Sequence, residues 1–156
     1  MERKFIKTSY DFLREDLSSE YMSDEFRKWF KDSEMVKPNG TPMIFYHGTN
    51  AKFDTFDKSK INTSTDAGWL GHGFYFYTDK HEASQYGNVR SFFLNITNPY
   101  YATDEDNERL AELNDIQASK DFTTDLIANG YDGVYYNGNL RGETVVFEPS
   151  QIWEIK

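Results

Sequence analysis

A histidine closes an apolar run in the segment MIFYHGTN, residues 43–50. A neutral imidazole at the end of a half-buried strand can hydrogen-bond a ribose hydroxyl. Gly48 follows without a side chain, so its backbone N–H and C=O can pair with a carboxamide as backbone groups pair with each other. The alternative is that His47 is a structural residue at a strand-to-turn corner. This stretch alone leaves both interpretations open.

Two tyrosines, Tyr75 and Tyr86, flank the start of a predicted helix in GWLGHGFYFYTDKHEASQYG, residues 68–87, which Thr78 or Asp79 can cap. A planar ring such as nicotinamide can stack between two aromatic side chains without requiring charge. The chain contains 11 tyrosines and 13 phenylalanines, so the alternative is that both rings belong to the core. The glycines of this segment do not form a phosphate-binding P-loop, because no Gly-Lys-Ser/Thr follows them.

An acidic side chain, Glu143, stands where a turn enters a strand in RGETVVFEPSQI, residues 141–152. Cleavage of a glycosidic bond passes through an oxocarbenium-like state, and a nearby carboxylate can stabilise that cation and hold the 2-hydroxyl of the sugar. The alternative is an ordinary exposed glutamate at a strand edge. Position in the turn is what makes Glu143 a candidate.

Short β-rich runs and a few helices must position these residues. The N-terminal part predicts two helices, YDFLREDL and SDEFRKWF, the second with Ser23 as its N-cap. Later helices are predicted at TDEDNERLAEL, where Thr103 and Asp106 can form a capping box, and at SKDFTTDLIANG, ended by Asn129 and Gly130. The predicted strands are MIFYH, GFYFYT, RSFFLNI, DGVYYN, TVVFE and QIWEI.

This order predicts an α+β domain with a mainly antiparallel sheet, because crossover helices do not regularly separate the strands. The length of 156 residues predicts one domain. Within it we expect a helical N-terminal segment, 1–40, and a β-rich core, 41–156, with VKPNGTP marking the passage between them.

Composition excludes several classes of function. The chain has no cysteine, and its three histidines show no metal-ligand spacing, so we expect no metal. Residues 101–156 carry 4 basic and 12 acidic side chains, which argues against tight non-specific nucleic-acid binding. No apolar run is long enough to span a membrane, and the charged start lacks the apolar core of a secretory signal. We therefore expect a cytoplasmic protein, in a bacterium or its host.

The motifs YHGT, FDTFD, GFYFYT, LNITNP, GYDGVYY and VVFEPSQI occur in this order along the chain, after WFKDS. This pattern resembles ADP-ribosyltransferases of the poly(ADP-ribose) polymerase and diphtheria-toxin type, which carry a histidine-tyrosine-glutamate triad. It is most similar to the small domains of that superfamily in phage polyvalent proteins. The resemblance covers roughly residues 23–156 and implies an ADP-ribosyltransferase-like split antiparallel β-sandwich with N-terminal helices packed on it.

The resemblance also implies roles for individual residues. His47 matches the triad histidine that contacts the ribose of NAD, and Gly48, followed by Thr49 in the same motif, matches the glycine whose backbone holds the nicotinamide amide. Tyr75 matches the triad tyrosine, Tyr86 stands eleven residues later as the second stacking tyrosine, and Glu143 matches the catalytic glutamate. A serine that often touches the carboxamide falls at or beside Ser84, although Ala83 competes for that alignment.

The rival branch of the superfamily uses an arginine, a Ser-Thr-Ser strand, and a glutamine or glutamate two residues before the catalytic glutamate. NTSTD, residues 62–66, resembles the Ser-Thr-Ser element only superficially. Arg141 occupies the position two before Glu143, and YHGT stands where the arginine would be. We therefore prefer the histidine-tyrosine-glutamate type.

The implied reaction is transfer of ADP-ribose, as a single unit, from NAD to a macromolecular acceptor, with release of nicotinamide and without a metal. We expect that acceptor to be a protein rather than a nucleic acid, with no membrane partner, and the enzyme to act as a monomer. Two alternatives remain open: an NAD glycohydrolase toxin, and a non-catalytic NAD-binding or interaction module. The biological setting, whether phage attack, host defence or toxin, is not determined by these motifs.

Overall fold

The computed structural model describes residues 23–61 and 67–156. The predicted helix YDFLREDL and the NTSTD segment lie outside the described residues. The helices are α1 (Asp24–Phe30), α2 (Lys80–Ser84), α3 (Asp104–Leu113) and α4 (Ile116–Ala128). The strands are β1 (Phe45–Thr49), β2 (Phe74–Phe76), β3 (Asn88–Leu94), β4 (Pro99–Tyr101), β5 (Gly133–Tyr136), β6 (Glu143–Val146) and β7 (Ile152–Glu154). Short 3-10 turns span Lys58–Lys60, Gly138–Leu140 and Pro149–Gln151.

Local capping chemistry sets where several helices begin. The Ser23 side chain accepts a hydrogen bond from the backbone N–H of Phe26, which satisfies one of the free donors at the start of α1. Thr103 and Asp106 form the predicted capping box at α3. Asp79, the second of the two predicted caps, accepts from the N–H groups of His81 and Glu82 at α2. These predictions are confirmed.

The strands form two sheets. The first has the order β1-β3-β7 and is antiparallel throughout. The second has the order β2-β6-β5-β4, in which β2, β6 and β5 are antiparallel but β4 pairs with β5 in parallel. The α+β class is confirmed, with one antiparallel and one mixed sheet.

The strand β4 and its parallel pairing were not predicted from the sequence. It is a three-residue strand that begins with Pro99 and lies at the edge of its sheet, where a missing N–H costs least. The helices α3 and α4 connect β4 to β5, which is the long crossover that parallel neighbours require. The strand was too short to give a periodic signal.

A backbone bridge joins the facing edges of the two sheets. The N–H of Tyr46 on β1 donates to the carbonyl of Tyr77 at 2.7 Å, and the N–H of Tyr77 donates back to the carbonyl of Tyr46 at 2.9 Å. Tyr77 comes directly after β2, so this bridge fixes the ends of β1 and β2 against each other. The candidate site is built around this junction.

Alternation along the strands assigns their side chains to different core clusters. Phe45 and Phe92 of the first sheet meet Phe74, Phe76 and Val146 of the second sheet in one cluster. On its other face, the first sheet presents Phe93 to Phe26 and Phe30 of α1. The second sheet presents its other face to Phe122 and Leu126 of α4. Both sheets are thus held by apolar contacts on each face.

Candidate functional site

The imidazole of His47 is held on β1 by one hydrogen bond and by aromatic packing. Its Nδ1 lies 2.7 Å from the backbone carbonyl of Tyr75. Because a carbonyl can only accept, Nδ1 carries the proton and donates. The ring packs at 5.1 Å from Phe56 and 5.4 Å from Phe76, measured between centroids. This fixes the tautomer of the neutral ring and leaves Nε2 as its acceptor atom.

Burial and charge favour the neutral form of this histidine. Burial lowers the pKa of His47 below its ordinary value, the hydrogen bond to Tyr75 opposes that shift, and the nearby Arg90 cation lowers the pKa further. Arg90 itself is held by a bidentate ion pair with Glu154, with both N–O distances at 2.8 Å. A neutral imidazole at physiological pH is what the sequence interpretation required for contact with a sugar hydroxyl.

Gly48 is required by the packing of α2 on β1. A Cβ atom at this position would overlap the carbonyl oxygen of Ala83 and lie 3.4 Å from Cβ of Tyr86. The absent side chain therefore lets the helix sit directly on the strand. The sequence predicted that a ligand would approach Gly48 closely. On this face of β1 it is α2 that approaches, and its packing brings Tyr86 beside Gly48.

The backbone of Gly48 presents a different opportunity. In a strand, the N–H and C=O of one residue point to the same edge, and residues two apart share that edge. Tyr46 directs both groups to Tyr77, away from β3, so Gly48 directs its groups to the same outer edge. Because β1 is an edge strand, a donor and an acceptor stand side by side there, beyond the Tyr46–Tyr77 bridge.

Tyr86 stacks on Tyr77. The sequence interpretation had named Tyr86 but not Tyr77. The two rings are nearly parallel, with an interplanar angle of 7° and a centroid separation of 5.8 Å. Tyr77 is 6% exposed, whereas Tyr86 is 44% exposed. A planar ligand between them requires about 7 Å, twice a van der Waals contact, so it can enter that gap only after Tyr86 moves outward.

Glu143 joins this pair through Tyr77. The Tyr77 hydroxyl lies 3.3 Å from Oε2 of Glu143 and 3.3 Å from the hydroxyl of Tyr86. Both distances exceed the roughly 2.8 Å of a strong O–H···O bond. Burial, followed by the charge of Glu143, raises the pKa of Tyr77 well above its ordinary value. The phenol therefore keeps its proton and is a donor to the carboxylate.

The turn before Glu143 is fixed to the segment that follows β2. The N–H and hydroxyl of Thr78 both donate to the carbonyl of Arg141, at 3.1 and 3.2 Å. The Arg141 guanidinium pairs with Glu82 of α2 at 3.1 Å. Gly142 adopts a φ of +59°, and a Cβ there would overlap Oγ1 of Thr78. Glu143 then begins β6, as the sequence predicted.

The other residues suggested by the motifs lie apart from Tyr77, Tyr86 and Glu143. Tyr75 packs in the second-sheet cluster, and its hydroxyl accepts from the N–H of Leu70 at 2.9 Å and donates to the carbonyl of Gly71. Ser84 is exposed and donates to the His81 carbonyl of its own helix. Thr49 accepts from the N–H of Ala51 in the following turn. Tyr75 contacts β1 through its backbone, because its carbonyl accepts the hydrogen bond from His47.

Tyr77 is thus the site residue that sequence reasoning missed. One signal could have found it: Tyr77 is two residues after Tyr75 and so lies on the same strand face. The decisive fact is the register of β2 against β6, in which Phe76 pairs with Thr144. That register brings the next residue, Tyr77, opposite Glu143, and the sequence does not encode it locally.

An open groove of about 480 Å³ adjoins the site. Tyr46 and Thr78, which flank the junction of the sheets, line it together with Tyr135 and Leu140. In residues 23–61 and 67–156, no group of three or more His, Asp or Glu side chains is placed to hold a metal ion. No helix in these same ranges has the length and apolar character needed to cross a membrane.

Comparison with known protein families gives a match over most of the chain. Residues 37–156 match a protein family described as "ADP-Ribosyltransferase in polyvalent proteins". No curated protein matches the chain closely enough to count as a relative. A solved structure described as "Crystal structure of an anti-CRISPR protein" is 15% identical, with a TM-score of 0.44, and the alignment covers 72% of this chain and 95% of that chain. A TM-score this low supports no inference.

Proposed function

The chain belongs to the family of ADP-ribosyltransferases in polyvalent proteins, and from that premise we propose that it transfers a single ADP-ribose unit from NAD to a macromolecular acceptor, with His47, Gly48, Tyr86 and Glu143 at the reacting end of NAD. NAD supplies a ribose–nicotinamide bond whose leaving group departs as neutral nicotinamide. The remaining chemistry is assigned to the residues of the chain.

The outward-facing backbone of Gly48 is the observation that carries this proposal. It offers one donor and one acceptor side by side on an edge strand, the pattern that a carboxamide complements. Tyr86 lies directly beside it and supplies an exposed aromatic face for the ring that bears this carboxamide. Glu143 is connected to Tyr86 through the hydroxyl of Tyr77. Binding and charge stabilisation are therefore within one short stretch of surface.

The bonds of the proposed reaction balance without a general acid. The bond between the anomeric carbon and the nicotinamide nitrogen breaks, and its electron pair neutralises the positive charge on that nitrogen. Glu143 stabilises the developing oxocarbenium charge and accepts a hydrogen bond from the 2-hydroxyl. The acceptor's nucleophile then bonds to the anomeric carbon and releases its proton. His47, neutral and fixed by Tyr75, orients a ribose hydroxyl through Nε2.

Two features of the surface support a protein acceptor. The net charge of −9 disfavours a polyanionic partner, which is normally bound by basic side chains. The groove beside the site is lined by apolar and uncharged polar groups, with Lys37 as the one charged residue among those that line it. We propose that this groove receives the acceptor, because it adjoins both the Tyr77 junction and the turn before Glu143.

The direct test is transfer from labelled NAD into a bacterial lysate. We compare the wild-type chain with Glu143→Gln, which removes the negative charge and keeps the shape, and with Glu108→Gln, the same change on the exposed face of α3. We expect roughly a 10³-fold loss of label transfer for Glu143→Gln, from the loss of charge stabilisation. Glu108→Gln should retain wild-type transfer.

Digestion identifies the labelled polymer. Label that is lost on protease treatment and survives nuclease supports a protein acceptor, and the opposite result overturns that part of the proposal. Nicotinamide release at full rate without lysate would identify NAD hydrolysis instead of transfer. Equal activity of Glu143→Gln and the wild type would remove Glu143 from the mechanism.

A further inference from the structure

The buried phenol of Tyr77 lies between Tyr86 and Glu143 and has no role in the reaction proposed above. Its backbone is fixed by both hydrogen bonds of the bridge to Tyr46, and its ring is almost fully buried against Tyr86. A buried hydroxyl requires a partner. This hydroxyl contacts Glu143 and Tyr86, and both are residues of the proposed NAD site.

We propose that Tyr77 is a positioning residue for the reaction: its hydroxyl donates to Oε2 of Glu143 and holds that carboxylate in one orientation, while its ring gives Tyr86 a surface to stack on. This inference rests on the proposed function, because Tyr77 acts only through Glu143 and Tyr86. It deepens that function by adding a residue to which the resemblance assigned no role.

The arrangement has the rigidity that positioning requires. The bridge to Tyr46 anchors Tyr77, and the next residue, Thr78, holds the carbonyl of Arg141 two residues before Glu143. Glu143 is therefore restrained twice from the segment that follows β2, once through the backbone of its turn and once through its carboxylate. Catalytic groups held in this way keep the small positional tolerance that efficient reaction needs.

The hydrogen bond also leaves Glu143 able to act. A carboxylate has two oxygens and about four acceptor positions, so donation from Tyr77 to Oε2 leaves capacity for a sugar hydroxyl. Tyr77 keeps its proton because burial and the nearby carboxylate both disfavour its ionised form. The phenol is therefore a dependable donor over the range of pH in which the enzyme is expected to operate.

The test is Tyr77→Phe, which keeps the ring, the stack and the buried volume and removes only the hydroxyl. Tyr100→Phe is the matched control, because it also removes a phenol–carboxylate hydrogen bond, to Asp106 at 2.7 Å, but on β4. We expect Tyr77→Phe to lower kcat for NAD consumption about 10-fold with KM within about two-fold of wild type. Tyr100→Phe should leave both constants unchanged.

A double-mutant cycle separates positioning from a merely structural role. Glu143→Asp shortens the side chain by one methylene and withdraws the carboxylate from Tyr77. If Tyr77 acts through Glu143, Tyr77→Phe should then cost about two-fold or less in kcat in the Glu143→Asp background. An equal 10-fold loss in both backgrounds would overturn the inference, as would a Tyr77→Phe variant with wild-type kcat or with only KM raised.

Stability measurements cover the remaining outcomes. Near-ultraviolet circular dichroism and thermal melting of Tyr77→Phe should match the wild type closely, and a collapsed or unfolded variant would show that the hydroxyl maintains the fold instead. A wild-type chain that consumes no NAD overturns the proposed function, and this inference falls with it. An active wild type with an unaffected Tyr77→Phe overturns this inference alone.

Discussion

The two walls of the site are held by different kinds of interaction. On β1, His47 is fixed by a 2.7 Å hydrogen bond and by aromatic neighbours, and Gly48 lies directly under α2. On the opposite wall, Tyr77, Tyr86 and Glu143 are linked by contacts of 3.3 Å, and Tyr86 is partly exposed. The first wall is a rigid template. On the second wall, the backbone bonds of Tyr77 and Thr78 restrain Tyr77 and Glu143, and the exposed ring of Tyr86 has room to adjust when a ligand enters.

Under the proposed function, this difference gives the two walls separate tasks. A backbone donor and acceptor must be rigid to recognise a carboxamide, because each misplaced hydrogen bond loses most of its value. A stacking ring can swing, because aromatic contact tolerates sliding and tilt. The separation of 5.8 Å between Tyr77 and Tyr86 is less than a stacked planar ring needs, so we expect a ligand to stack there only after Tyr86 moves outward.

Gly48→Ala is expected to disrupt the rigid wall. Its effect should be larger than those of the changes at Tyr86 and His47 described next. The new Cβ overlaps the carbonyl of Ala83, so α2 must move away from β1 and take Tyr86 with it. Overpacking of this kind costs about 1–3 kcal/mol, or roughly 3–10 °C in Tm for a chain of this size. NAD turnover should fall about 100-fold, because a shift of about 1 Å is sufficient for such a loss.

Gly130→Ala is the control for this change. It places a side chain at a φ of +88°, in ordinary van der Waals contact with Nδ2 of Asn98 at 3.9 Å, after α4 and away from the two walls. We expect it to lower Tm without loss of NAD turnover below the melting range. Similar turnover losses in both variants would mean that general destabilisation, and not displacement of α2, explains the effect of Gly48→Ala.

Tyr86→Ala tests the adjustable wall. Loss of the ring removes the stacking surface, which is worth about 1–2 kcal/mol for a planar base, so KM for NAD should rise roughly 5–30-fold. Tm should change little, because the side chain is partly exposed. Tyr86→Phe should restore the wild-type KM, measured by steady-state nicotinamide release. An unchanged KM in Tyr86→Ala would exclude stacking at this position.

The smallest effect is the pH dependence of stability contributed by His47. Its pKa is lowered in the folded state, so the unfolded chain binds the proton more readily at mildly acid pH. The stability contributed by the neutral ring is therefore complete above the unfolded pKa of about 6.5 and declines as the pH falls from there toward the lower folded value.

Urea unfolding at pH 7.5 and pH 5.5 measures this contribution. In His47→Gln, which cannot gain a proton, the loss of unfolding free energy on acidification should be smaller than in the wild type. A loss of equal size in the two proteins would mean that His47 carries a proton as easily in the fold as in the unfolded chain, and the rigid wall would lose its neutral imidazole.

Much of the fold was predictable because its signals are local. Ser23, Asp79 and the Thr103–Asp106 pair are capping residues whose effect depends only on the next turn of chain, and each caps the helix it was predicted to cap. The main strands were recognised from aromatic and β-branched runs. The strand β4 was missed because its parallel partner is reached only through two helices.

The candidate site was predictable only in part. The position of Glu143 at the first residue of β6 follows from turn and strand signals. His47 lies on a strand as predicted, but it does not close that strand, because β1 continues through Gly48 to Thr49. The proposed stacking of Tyr75 with Tyr86 stays a prediction, whereas the stack that the structure contains is between Tyr77 and Tyr86. Choosing between tyrosines two residues apart on one face depends on what lies across the sheet.

The sequence by itself determined the residue types of this protein's site, their order along the chain, and the caps and strands that carry them, because these depend on neighbours within a few positions. Only the tertiary structure decided which groups meet. The bridge of Tyr46 to Tyr77 turns the backbone of Gly48 outward, and the register of β2 against β6 brings Tyr77 to Glu143. Both depend on pairing between segments that are far apart in sequence. Once two strands pair, the alternation of hydrogen bonds along them decides which residues lie opposite each other and which edge each backbone group faces.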